Sequence, residues 1–114
     1  PLDSIELLEA EGVMHIAFDG MNNLAGRLAS VQPVNMIFLD LSLPHISGYE
    51  LLKLIKANSK FSGTPVIAYT VHTAEMNAAH TMGFDGFLGK PIDADLFPEQ
   101  LQHILNGEGV WYSP

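Results

Sequence analysis

Met36-Ile37-Phe38-Leu39 is an unbroken apolar run, Asp40 ends it, and the chain turns at once through Leu41-Ser42-Leu43-Pro44 toward a helix. A strand that is apolar at successive positions leaves no face for water, so it belongs inside a parallel sheet covered on both sides. The same design recurs twice. Pro65-Val66-Ile67-Ala68-Tyr69 ends in Thr70, and Gly86-Phe87-Leu88-Gly89 is followed by Lys90 and Pro91. Open α/β sheets take their ligands at the carboxyl ends of their strands. An acid, a hydroxyl and an amine at three adjacent strand ends make a compact site for a phosphoryl group.

The segments between these runs read as helices. Leu2, Ile5 and Leu8 follow helical spacing over about residues 2–11, and Gly12 stops them. Val13–Phe18 alternates as a short strand, Asp19-Gly20 turns, and Asn22 or Asn23 caps a helix running to about Val31. Pro33 separates that helix from the strand Asn35–Asp40. Ser47 is placed to cap a helix over Gly48–Asn58, with Leu51, Leu52, Leu54 and Ile55 facing inward. A loop, Ser59–Thr64, leads to the strand Pro65–Thr70. A helix over about Thr73–Met82, closed by Gly83, precedes the strand Asp85–Gly89. The last helix runs from about Asp95 to Leu105, with Pro98 tolerated in a first turn whose amides lack helical partners. Residues 1–107 therefore read as one α/β domain and 108–114 as a short tail, in which Trp111 and Tyr112 either dock on the domain or meet a partner. Strands alternating with helices imply right-handed crossovers and a doubly wound parallel sheet.

Composition narrows the function. The 114 residues suit one domain with a real core, 47% of them being hydrophobic and 16% charged. A net charge of −8, with only Arg27, Lys53, Lys56, Lys60 and Lys90 as cations, argues against direct nucleic-acid binding. No cysteine is present, so disulfides and thiolate–zinc sites are excluded. No apolar run approaches the roughly 18 residues that span a bilayer, and no signal-peptide pattern opens the sequence; a cytoplasmic domain without membrane contact is the expectation. The histidines at 15, 45, 72, 80 and 103 are too scattered for a metal site, and the five methionines read as core filler. Gly83-Phe84-Asp85-Gly86 is a turn, not a phosphate loop.

From Leu2 to about Leu105 the chain resembles the receiver domain of two-component response regulators. The segments that carry the resemblance are Leu39-Asp40-Leu41-Ser42-Leu43-Pro44-His45-Ile46-Ser47-Gly48-Tyr49-Glu50-Leu51-Leu52, Pro65-Val66-Ile67-Ala68-Tyr69-Thr70 and Gly89-Lys90-Pro91, in that order and each at a strand end. The resemblance implies a flavodoxin-like fold, and it implies roles. Asp40 matches the phosphoacceptor, Thr70 the hydroxyl that moves onto the phosphoryl group, and Lys90 the lysine that pairs with its oxygens. Phe87 matches the aromatic switch position. Lys90-Pro91 matches a cis bond. Mg²⁺ is the family's cofactor; Asp40 and the backbone carbonyl of Ser42 match two of its ligand positions. Implied partners are a histidine kinase or phosphotransfer protein. The module is not an enzyme beyond catalysing its own phosphorylation and dephosphorylation.

The sequence departs from the family at its front. Receiver domains begin with a central strand ending in two acidic residues that hold Mg²⁺, whereas this sequence opens inside what reads as the first helix, and Asp3 aligns too late to stand in for either acid. The metal site is incomplete without that pair, and the alternative reading is a degenerate receiver acting as a phosphorylation-independent interaction or dimerisation module. An aspartate-nucleophile phosphatase is disfavoured, because Asp40-Leu41-Ser42-Leu43-Pro44 lacks a second acid. With the strand order 2-1-3-4-5, a missing first strand leaves buried inner edges on Val13–Phe18 and Asn35–Asp40. Unpaired buried amides and carbonyls cost about 1–3 kcal/mol each. The expectation is thus a closed gap: a homodimer or other strand-supplying partner, or direct pairing of those two strands. The Val110–Tyr112 tail is a poor candidate for that role.

Overall fold

The computed structural model describes residues 35–41 and 48–114. The expected helix at 2–11, the strand Val13–Phe18, the helix ending near Val31, Ser42 and the Ser47 cap lie outside the described residues. So does the expectation of a missing first strand and of a gap closed beside Asn35–Asp40.

Among the described residues four strands form one sheet: β1 (Ile37–Asp40), β2 (Val66–Thr70), β3 (Gly86–Gly89) and β4 (Trp111–Tyr112). They lie in the order β1-β2-β3-β4, and every neighbouring pair is parallel. Three helices connect them: α1 (Gly48–Ala57), α2 (Met76–Met82) and α3 (Phe97–Leu105). The alternation read from the sequence is thus a parallel α/β sheet.

Side-chain parity along the strands sorts the core into two layers. Ile37, Leu39, Val66, Ala68 and Phe87 point to one side and pack with Leu51, Leu52 and Ile55 of α1, Ala79 of α2, and Phe61 and Phe84. Phe38, Ile67, Tyr69 and Leu88 point to the other and pack with Phe97, Leu101 and Ile104 of α3. The two-residue period of the strands meets the helical period of α1 and α3 on opposite faces. All five residues of β2 are buried, which is why its sequence has no polar alternation to offer.

Local chemistry moves several boundaries. Ser59–Phe61 is a 3₁₀ turn, fixed by the Asn58 side chain, which accepts from the Lys60 N–H at 3.0 Å. Thr73–Glu75 is likewise a 3₁₀ turn ahead of α2, so the α-helix starts at Met76 and not at Thr73. Gly83 ends α2 with φ of 108°, the left-handed conformation that favours glycine. Asp85 stands just outside β3 because its carboxylate is engaged elsewhere, accepting from the Val66 N–H at 2.8 Å and from Lys56 Nζ at 2.9 Å. The Asp93 carboxylate accepts from the Asp95 N–H at 2.9 Å and forms the turn that delivers the chain to α3 at Phe97. Trp111 and Tyr112 dock on the domain, at the edge of the sheet beside β3 and not beside β1. No helix among the described residues is long and apolar enough to cross a membrane.

Leu52, 1% exposed between α1 and the sheet, reports on this packing. Leu52→Ala is expected to cost about 2–5 kcal/mol through lost burial and a residual cavity, measured by urea unfolding; a cost below about 1 kcal/mol would show that α1 is not packed as described.

Candidate functional site

The carboxyl ends of β1, β2 and β3 converge because their ladders run past the strand ends. The Leu41 N–H donates to the Tyr69 carbonyl at 2.8 Å, and the Lys90 N–H donates to the Thr70 carbonyl at 2.8 Å. Residues from opposite flanks of β2 are thereby held at one level. Across that level Lys90 Nζ donates to Asp40 Oδ2 at 2.7 Å, an ion pair between residues 50 apart in sequence. The two side chains keep 21% and 26% exposure, so the pair sits in a shallow rim open to an incoming group. Its short length is that of a charge-assisted hydrogen bond.

Two further groups complete the rim. Lys90 Nζ lies 4.5 Å from the centroid of the Tyr69 ring, where the negative face of the ring favours a cation. Thr70 is fully buried at the end of β2, and its Oγ1 accepts from the His72 N–H at 3.0 Å, turning the chain off the strand. The Lys90–Pro91 bond is cis. Phe87 lies apart from the rim. It is fully buried in the layer under α1 and α2, three residues before Lys90, and its N–H donates to the Val110 carbonyl at 2.7 Å.

Of the residues singled out in the sequence, the structure brings Asp40 and Lys90 into contact and sets Thr70 on the strand between them. Phe87 is in the core, and Ser42 is outside the described residues. Tyr69 was read only as a strand residue. The signal that would have found it is parity: Tyr69 and Leu88 share a face, so Lys90, two residues beyond Leu88, returns to the side of the Tyr69 ring. Two of the described histidines lie away from this rim. His80 packs against Trp111 with ring centroids 4.6 Å apart, and His103 Nδ1 is 2.6 Å from the Glu108 carboxylate.

A divalent metal is tested by the donors present. Mg²⁺ is held by oxygens, with one or two protein carboxylates in near-octahedral geometry. Among the described residues no three His, Cys, Asp or Glu side chains come together, and Asp40 is the carboxylate at the rim, with Lys90 on one of its oxygens. By themselves these residues do not make a Mg²⁺ site. They set a carboxylate, a group able to act as a nucleophile, beside a cation able to stabilise negative oxygens.

Comparison with known proteins gives a consistent result. The family model described as response regulator receiver domain matches residues 5–102. Protein PilG of Pseudomonas aeruginosa is 37% identical over 81 residues, covering 69% of this chain and 58% of that protein. The transcriptional regulatory protein CrdR of Helicobacter pylori is 31% identical over 112 residues, covering 96% of this chain and 51% of that protein. The chain thus spans little more than half the length of these curated relatives. Among solved structures, the receiver domain of sensor histidine kinase PA1611 from Pseudomonas aeruginosa, which has a magnesium ion coordinated in its active-site cleft, superposes with a TM-score of 0.71. It is 22% identical, with 90% of this chain and 84% of that one covered. At that identity the likeness speaks for the fold.

Because Lys90 lies at an open rim, its removal should matter little for folding. Lys90→Ala is expected to lower stability by about 1 kcal/mol or less, as partly exposed ion pairs do. Thermal and urea unfolding check this, and a loss of several kcal/mol would make the pair a structural strut.

Proposed function

The chain belongs to the family of response regulator receiver domains, which are signalling modules, and from that premise we propose that Asp40 is its phosphoacceptor, with a histidine kinase or phosphotransfer protein as donor. The observation that carries this reading is the 2.7 Å contact between Asp40 and Lys90 at the carboxyl end of a parallel sheet. In the proposed step an Asp40 carboxylate oxygen attacks phosphorus, the bond from phosphorus to the donor histidine nitrogen breaks, and an acyl phosphate forms on Asp40. Negative charge on the transferring oxygens draws the Lys90 ammonium from the carboxylate to the phosphoryl group.

Signalling follows from that transfer of contacts. The phosphoryl group brings added negative charge and acceptor oxygens that the bare carboxylate lacks. Thr70 acts as the second group that reaches it, and a change at Thr70 is transmitted into the layer where Phe87 is buried. Thr70 and Phe87 lie on neighbouring strands, with Ala68 paired to Phe87 and Thr70 to Gly89. The equilibrium shifts only by the difference in how these residues bind the two states of Asp40. Mg²⁺ is supplied in the test as the family's metal ion.

Incubation with acetyl phosphate and Mg²⁺ is expected to give a single phosphoryl adduct by intact-mass spectrometry, released by hydroxylamine as an acyl phosphate is. Asp40→Asn is expected to abolish the adduct with the fold unchanged, since the amide keeps the shape but is a poor nucleophile. Lys90→Ala is expected to reduce its yield or its effect on the circular dichroism of the chain. An adduct persisting in Asp40→Asn moves the acceptor to another residue. No adduct on the unaltered chain removes the phosphoacceptor assignment and leaves a receiver fold used for phosphorylation-independent interaction.

A further inference from the structure

The segment following α3 is led back across the sheet edge by specific contacts. The Glu108 N–H donates to the His103 carbonyl at 2.9 Å, and the Glu108 carboxylate lies 2.6 Å from His103 Nδ1. The Val110 carbonyl then accepts from the Phe87 N–H at 2.7 Å, and Trp111 and Tyr112 run parallel to Phe87 and Leu88. Its side chains alternate across the sheet. Trp111 packs on the α1–α2 side against His80, whereas Val110 and Tyr112 pack on the α3 side.

The outer edge of β3 is shaped for this path. A Cβ on Gly86 would stand 2.9 Å from both the Val110 carbonyl oxygen and Ile67 Cδ1, and a Cβ on Gly89 would stand 2.6 Å from Thr73 Cγ2, 2.7 Å from Pro114 Cδ and 3.3 Å from the Tyr112 carbonyl oxygen. Both glycines of β3 therefore leave room for the 110–114 segment, and also for the side chains of Ile67 and Thr73. The occupant itself is lightly held. Val110, Trp111 and Tyr112 are only partly buried, Ser113 and Pro114 are exposed, and the strand is two residues long. Strand pairing of that length is not stable alone, so occupancy rests on the tether through 106–109, which sets a local concentration on the order of millimolar.

We propose that the outer edge of β3 is a strand-accepting site whose ligand is the 110–114 segment, bound in cis in this structure and exchangeable for the same segment of a second copy. An edge strand left open pairs readily with another chain. The second copy is the matching partner because its segment carries the same three properties: a carbonyl for the Phe87 N–H, one aromatic for each face, and a backbone that clears Gly86 and Gly89. Exchange of an identical element between copies creates a dimer without any new interface chemistry.

The test uses a fluorescently labelled peptide with the sequence of residues 108–114, titrated by anisotropy into the full chain with and without Trp111→Ala. That substitution weakens the cis occupant alone, because His80 and both glycine clearances stay intact for the peptide's own tryptophan. The Trp111→Ala chain is expected to bind the peptide about tenfold more tightly than the unaltered chain, in which the tethered segment competes. Adding His80→Ala is expected to weaken the peptide again. Equal affinity for the unaltered and Trp111→Ala chains, or binding by neither, overturns the proposal. Hydrogen exchange on the unaltered chain gives a second readout that needs no variant. The Phe87 amide, whose acceptor is Val110, is expected to exchange faster than the amides joining β1 and β2. Equal protection would mark the segment as a permanent part of the sheet and overturn the proposal as well.

Discussion

β2 is paired on both edges and packed on both faces, and the geometry of the site follows from that confinement. Its neighbours β1 and β3 are fixed in register by Ile37 opposite Val66 and Ile67 opposite Gly86. A slip of one residue on either side would send side chains fitted to one packed layer into the other and disrupt both. Register is therefore over-determined, and with it the heights at which Asp40 and Lys90 leave the sheet. The backbone bonds from Leu41 and Lys90 to the Tyr69 and Thr70 carbonyls extend that rigidity to the rim itself. Functional groups carried on strand ends are held more precisely than groups on free loops.

The Asp40–Lys90 contact has to be weighed by what it does to geometry as well as to stability. Two unit charges about 4 Å apart interact by ~4 kcal/mol at an effective dielectric near 20. Partly exposed pairs nevertheless contribute only about 0–1 kcal/mol net, since desolvation and side-chain ordering offset most of the attraction. The pair is thus a modest stabiliser and a strong constraint on position. A cation already placed at the rim would need little reorganisation to meet an anionic group, which is the condition under which electrostatic stabilisation is most effective. The Tyr69 ring beneath Lys90 supplies a second favourable position for the ammonium without fixing it by a hydrogen bond.

The other edge of the sheet is built on the opposite principle. Where β2 is filled by buried side chains along its whole length, β3 begins and ends with glycine and presents backbone to backbone. Phe87 connects the two regimes. Its side chain is buried in the layer under α1 and α2, its N–H is committed to Val110, and it precedes Lys90 by three residues. The site and the edge therefore share one short strand, although the contacts that define each are different in kind.

The residue pattern alone makes legible the apolar runs, the polar residue closing each, and the strand–helix alternation. These are local signals: an unbroken apolar run states its own burial, and Gly83 states the end of α2. It also set the order in which Asp40, Thr70 and Lys90 occur, and the resemblance that carries their roles. What crosses between elements is settled by the assembled fold. Thr73–Glu75 became a 3₁₀ turn, Asp85 left its strand to cap Val66 and bind Lys56, and Tyr69 came to lie under Lys90. Trp111 and Tyr112 were legible as a pair of aromatics with two possible uses. Their place beside β3 depends on an open edge, on the parity of Phe87 and Leu88, and on the missing Cβ atoms of Gly86 and Gly89. None of these is a property of the segment itself. A strand's hydrogen bonds are satisfied by whichever neighbour the assembled sheet presents, so its pairing is written in the partner's geometry and not in its own residues.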